Sequence, residues 1–125
     1  MDLWDDGHYS NAVVAASAQL FDVKLPGKLR IPRSGGATDR ITKAFSTSPP
    51  TANEPRLRFS EFTIGTPDWT SAHEGAMHFG RGCAQGIRNV TTHGASPGEQ
   101  LALEALAALS LLARWVDEAI TETIP

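Results

Sequence analysis

The sequence predicts an all-α fold, an antiparallel up-and-down bundle of four helices with a long connector between the second and third in which a small β-hairpin can form. Three observations point that way. Apolar residues recur at spacings of three and four in four separate stretches. Pro and Gly clusters separate those stretches. The last stretch, Leu101 to Ile120, is rich in Ala and Leu, the strongest helix formers.

The first helix is expected from about His8 to Lys24, with Asp5 or Asp6 as N-cap and Tyr9, Ala12, Val13, Ala16, Leu20 and Val23 as its apolar stripe. Pro26-Gly27 is expected to end it. After the connector Ile31-Pro32-Arg33-Ser34-Gly35-Gly36, a short second helix from about Thr38 to Ser46 buries Ile41, Ala44 and Phe45, and Ser48-Pro49-Pro50 stops it. Leu57 and Phe59, then Phe62 and Ile64, alternate with polar residues around Ser60-Glu61, which suggests the hairpin.

The third helix is expected from near Asp68, with Trp69, Ala72, Ala76, Phe79, Cys83, Ile87 and Val90 as its core stripe and Gly94 as its stop. The fourth carries a capping box: Ser96 as N-cap, Pro97 at the first position and Glu99 at N3. Its apolar stripe of Ala102, Leu106, Leu109, Ala113, Val116 and Ile120 is widened by Leu101, Ala108, Leu111 and Trp115 to an arc of roughly 200°. Either a second copy of the chain or the connector loop is expected to cover the excess.

Residues 1–125 are expected to form a single domain, since domains typically run to about 100 to 200 residues. Glu104, Arg114, Asp117 and Glu118 interrupt the longest apolar stretch, so no membrane span is expected. The acidic start Met1-Asp2-Leu3-Trp4-Asp5-Asp6 lacks the basic and apolar regions of a secretory signal. A single cysteine, Cys83, permits no internal disulfide, so a reducing cytoplasm is the expected location.

The formal net charge of −3 is unevenly distributed: residues 24–58 hold eight bases and two acids, whereas both flanks are acidic. This basic island (Lys24, Lys28, Arg30, Arg33, Arg40, Lys43, Arg56, Arg58) reads either as a phosphate-binding surface or as a solvated loop. Gly75, Gly80, Gly82 and Gly86 weaken the third helix, which implies close approach of a neighbouring helix or a ligand. His73 and His78 lie about 140° apart around the helix, unlike same-face zinc ligands at i and i+4, so no metal is assigned. Cys83 falls on the core stripe and reads as a small buried hydrophobe.

Arg88-Asn89-Val90-Thr91-Thr92-His93 closes the third helix, with Arg81 about two turns back. Guanidinium and amide donors could hold a phosphate there, and an imidazole favoured in its protonated form at the helix C-terminus could move a proton. A capping histidine beside a surface arginine would show the same residues.

Asp6-Gly7-His8-Tyr9 with Ala12-Val13, Gly36 with Ile41, Ala44 and Phe45, Glu74-Gly75 through Gly82, Ile87-Arg88-Asn89 to His93, and Glu104-Ala105 through Leu111-Leu112 to Asp117-Glu118-Ala119 follow one another in order. In this combination the chain resembles the HEPN superfamily, and within it the Ymh-type branch associated with phage and abortive-infection loci. That branch usually carries proline after the Arg-Asn pair, where this chain has Val90. Its members are commonly longer at the N-terminus.

The resemblance implies a homodimer in which two copies of the motif meet in a shared cleft and cut RNA without metal or other cofactor. Arg88 would hold the scissile phosphate, His93 would act as general base or acid, and Asn89 would orient phosphate or histidine. Arg81, Lys28, Arg30 and Arg33 would contact RNA phosphates. The products would carry 2′,3′-cyclic phosphates, and the biological setting would be bacterial or phage conflict, with an antitoxin or other partner protein. The rival expectation is a catalytically silent module that binds a nucleotide or a partner protein.

Overall fold

The computed structural model describes residues 9–32, 35–92 and 98–125, and these are mostly helical with one small two-stranded sheet. The elements in chain order are α1 (Tyr9–Ala18), a π-helical segment (Gln19–Lys24), α2 (Leu25–Leu29), α3 (Ala37–Ala44), β1 (Arg56–Arg58), α4 (Pro67–Cys83), a second π-helical segment (Ala84–Asn89), α5 (Val90–Thr92), α6 (Glu99–Glu118) and β2 (Ile120–Glu122). α1 packs on α6 and on the second π-helical segment, and α3 packs on α4. One apolar cluster joins them, drawing Val13, Phe21 and Leu25 together with Ile41, Phe45, Leu57, Cys83, Leu112 and Val116.

Several boundaries differ from the sequence-based expectation. Pro26-Gly27 does not end the first helix, which runs on through Leu29. Pro26 stands in the first turn of α2, and the turn before it has loosened to π geometry, with Leu25 N–H donating to the Leu20 carbonyl, which gives the proline ring room in a helix that continues. The stop comes at Arg30, in the left-handed region at φ 58°, with its N–H on the Gly27 carbonyl and that of Ile31 on the Pro26 carbonyl, at 3.3 and 3.1 Å.

The expected hairpin does not form. Leu57 of β1 pairs instead with Thr121 of β2, antiparallel, flanked by Arg56 with Glu122 and Arg58 with Ile120. Ile120 therefore leaves the fourth helix, which ends at Glu118, and it is exposed. At its other end α6 begins at Glu99, after an extended Gly98 (φ −70°, ψ 175°), rather than at Pro97. Ser96 and Pro97, the expected cap, lie outside the described residues, as does Gly94. At α4 the start is one residue earlier than expected: Pro67 is the first helical residue, and the Thr66 hydroxyl caps the Trp69 N–H at 3.3 Å.

The wide apolar arc of α6 is divided. Ala102, Leu109 and Val116 are buried, whereas Leu101 and Leu111 are exposed; outside the expected arc, Leu112 is buried and Leu103 exposed. Among the described residues, Gly80 alone of the third-helix glycines meets a neighbour: a Cβ there would overlap Ile41 Cγ1 of α3. Cβ atoms at Gly75, Gly82 and Gly86 would meet nothing within 4 Å. Cys83 is buried as expected, and loss of solvation pushes its thiol up to about 11.

Candidate functional site

Arg88 and Asn89 end the second π-helical segment, and Asn89 is exposed while Arg88 is half-buried. A π turn inserts a residue into the α-helical phase, so Arg81, exposed in the last turn of α4, does not share the setting of Arg88. The Thr91 hydroxyl donates to the Ile87 carbonyl at 2.7 Å and to that of Arg88 at 3.2 Å, occupying acceptors in the widened turn. His93, the last member of the motif, lies outside the described residues, as does Arg33.

The Arg88 guanidinium has a partner that sequence reasoning missed. Its Nη2 donates to both carboxylate oxygens of Asp22, at 2.7 and 2.9 Å. Asp22 belongs to the first π-helical segment, between buried Phe21 and exposed Val23. Arg40 of α3, 7% exposed, donates its own Nη2 to Asp22 Oδ1 at 3.2 Å. Two guanidinium groups thus converge on one carboxylate, and one negative charge faces two positive ones. Arg40 Nε and Nη1 are buried and have no acceptor among the described residues. The sequence did carry a signal: Asp22 is the only acidic residue between Tyr9 and Thr38, set in an apolar helix where an unpaired carboxylate would be costly.

The basic island separates into distinct jobs. Arg56 and Arg58 are buried and hold the 43–49 segment by its carbonyls: Arg56 reaches Lys43, Ser48 and Pro49 at 2.9 to 3.3 Å, and Arg58 reaches Ser46 and Ser48 at 2.6 and 2.9 Å. Lys24 is paired with Asp117 at 2.8 Å. Lys43 bridges Glu54 and Asp39 at 2.9 and 3.1 Å, and hydrogen bonds to these two carboxylates raise its pKa. Lys28 donates to the Asp117 carbonyl at 3.0 Å, and neither it nor Arg30 has a carboxylate partner among the described residues.

Lys28 and Arg30 do meet in space. They line an open cleft of about 1180 Å³ together with Arg40, Lys43, Asp39 and Glu54. Arg88 is not part of its wall, and the two places are joined through Arg40 and Asp22. Among the described residues no cluster of His, Cys, Asp and Glu could hold a metal ion, and no helix is long and apolar enough to cross a membrane.

His73 has a structural job. Because the Phe59 N–H donates to its Nε2 at 3.1 Å, the proton sits on Nδ1, which donates to the Trp69 carbonyl at 2.7 Å. Burial, and then the charge of Arg58, lower its pKa despite the Trp69 carbonyl.

Over residues 1–116 the chain matches the family described as "Protein of unknown function (Hypoth_ymh)", and it belongs to that family. No curated protein and no solved structure matches it.

Proposed function

We propose that the chain is a HEPN-type helical domain, a four-helix up-and-down bundle, that acts as a homodimer on RNA in bacterial or phage conflict. The observation that carries this reading is the convergence of Arg88 and Arg40 on the single carboxylate of Asp22, at the helix end that bears Arg88 and Asn89. A site with two guanidinium groups and one carboxylate has surplus positive charge and N–H donors for a phosphodiester. Asp22 holds Arg88 by Nη2 alone, so Nε and Nη1 remain to meet a scissile phosphate and the charge that grows on it.

In this reading His93 removes the proton of the ribose 2′-OH, which attacks the adjacent phosphorus, and the 5′-oxygen leaves as a general acid protonates it. The products are a 2′,3′-cyclic phosphate and a 5′-hydroxyl. The histidine of the second copy would supply that proton, and exposed Val90, Leu101, Leu103 and Leu111 offer apolar surface to that copy. Arg81, Arg33, Lys28 and Arg30 extend the phosphate contacts, and the partner that restrains such an activity would be an antitoxin protein.

The Asp22 pair also favours a second reading, in which Arg88 is a structural residue and the chain a silent nucleotide-binding or protein-interaction module. Incubation of the purified chain with structured and unstructured RNA in EDTA separates the two. Cleavage leaving 2′,3′-cyclic ends, lost in His93→Ala and in Arg88→Ala, is the expected result. Intact RNA beside a folded wild-type dimer would sink the nuclease reading in favour of the second.

A further inference from the structure

Beyond the Arg88 motif, the strongest unassigned feature is the cleft that holds Lys28, Arg30 and Arg40. Its two carboxylates are already engaged: Asp39 and Glu54 both face Lys43, at 3.1 and 2.9 Å, and Glu54 also lies 3.8 Å from Arg56. Lys28 and Arg30 add positive charge with no carboxylate against it among the described residues. Arg40 adds a third, because Asp22 is shared with Arg88.

Arg40 is the informative member. A guanidinium carries five N–H donors, and burial is costly for any that find no acceptor. Here Nη2 reaches Asp22 at 3.2 Å, while Nε and Nη1, with three N–H between them, have no acceptor among the described residues. The side chain is 7% exposed and forms part of the cleft wall. A backbone phosphodiester, flanked by two sugars, fits poorly against so sheltered a guanidinium. A terminal phosphate, with three outward oxygens and up to two charges, suits it better.

We propose that this cleft binds a terminal phosphate, a phosphomonoester or diphosphate group. Arg40 holds it from the buried side, and Lys28 and Arg30 hold it from the mouth. The ligand supplies the negative charge that the cleft lacks, and a turn of the Arg40 guanidinium about its Asp22 bond brings Nε or Nη1, closed to water without the ligand, to the phosphate oxygens. Arg40 keeps its bond to Asp22 throughout, so the Arg88 pair is not broken. The inference takes Lys28 and Arg30 over from the proposed RNA contacts but does not need the Arg88 chemistry. Cleavage and phosphate binding can therefore fail separately.

The same group can come from a free small molecule or from the 5′ end of an RNA, and titration calorimetry of the full chain distinguishes them. The probes are sodium pyrophosphate and two short oligouridylates, one 5′-phosphorylated and one with a 5′-hydroxyl. The expected result is saturable binding of one pyrophosphate per chain. The paired variant Lys28→Ala, Arg30→Gly should weaken it at least tenfold; glycine is chosen because residue 30 sits in the left-handed region. Arg114→Ala, on α6 and outside the cleft wall, should bind as the wild type does. Arg40→Lys should weaken binding as well, and the surface pair keeps the test decisive if that variant fails to fold. A 5′-phosphorylated oligomer that binds where pyrophosphate does not would support the site and make an RNA end its source. Absence of saturable binding by either phosphorylated probe, equal binding of the 5′-hydroxyl oligomer, or no effect of the Lys28, Arg30 pair would each overturn the proposal.

Discussion

Asp22 and Arg88, 66 residues apart in sequence, meet at 2.7 Å, and each lies in a π-helical segment. π turns interrupt the regular α phase and are frequent at functional sites. Here both interruptions serve one contact: the first brings a carboxylate, and the second a guanidinium, to the place where α1 packs against the helix end. Arg40 then ties α3 to the same carboxylate.

Asp22→Asn should therefore loosen two helix junctions together. Arg40 would stay buried at 7% exposure with no negative partner, whereas Arg88, at 23%, can turn towards solvent. Loss of a charged partner from a buried group costs several kcal/mol, but Asp22 is itself a third exposed, so water moderates the loss to about 1–3 kcal/mol. A urea titration reads this directly. An unchanged midpoint would mean that the aspartate does not hold these arginines in solution.

The buried histidine gives the fold a pH dependence of known sign. Burial first, and the Arg58 charge second, lower the pKa of His73 below its ordinary 6.5. In the unfolded chain the ring takes up a proton near 6.5, whereas in the folded chain it resists until the pH is lower. Stability should be full above that value and decline as pH falls below it. The decline should be shallower in His73→Gln, compared by urea midpoints at pH 7.5 and about 5.5, since glutamine does not titrate. Identical slopes for the two proteins would remove His73 as the cause.

Helical class and most of the apolar core were legible because helical periodicity is a local signal: Val13, Ile41, Cys83, Leu109 and Val116 could be placed from spacing alone. The β1–β2 pairing was not, since Leu57 and Thr121 are brought together by the packing of every helix between them. Lys28 and Arg30 were legible as bases without their shared cleft, and Arg56 and Arg58 looked like surface charges while serving as carbonyl anchors. Arg88 was legible as a residue of interest through its motif. Its link to Asp22 and Arg40 was not, because an ion pair across 66 residues leaves no periodic trace.

Two glycines of α4 should respond in opposite directions. Gly80 lies against Ile41, so Gly80→Ala forces α3 and α4 apart or drives Ile41 off its rotamer, at a cost of about 1–3 kcal/mol. Gly82 has open space where a Cβ would stand, so Gly82→Ala should instead stabilise by up to about 1 kcal/mol through helix propensity. Thermal melts of the two variants beside the wild type give the comparison. A stabilised Gly80→Ala would show that α3 does not approach α4 as closely as described.

Arginine rather than lysine is required at position 58. Its Nε meets Glu122 of β2 at 3.1 Å, Nη1 the Ser46 carbonyl at 2.6 Å and Nη2 the Ser48 carbonyl at 2.9 Å. The guanidinium plane also lies 5.2 Å from the centre of the Trp69 ring. A lysine ammonium is a compact point donor that cannot span these acceptors, so Arg58→Lys gives up at least one of the part-buried carbonyl contacts and should cost about 1–2 kcal/mol. Glu122 is 40% exposed, so removal of its charge in Glu122→Gln should cost less than about 1 kcal/mol. The ratio of the two losses, read from urea midpoints, tests whether the carbonyls or the ion pair dominate. Equal losses would assign the anchor to the Glu122 pair, whereas the carbonyl contacts require the lysine variant to be clearly the weaker.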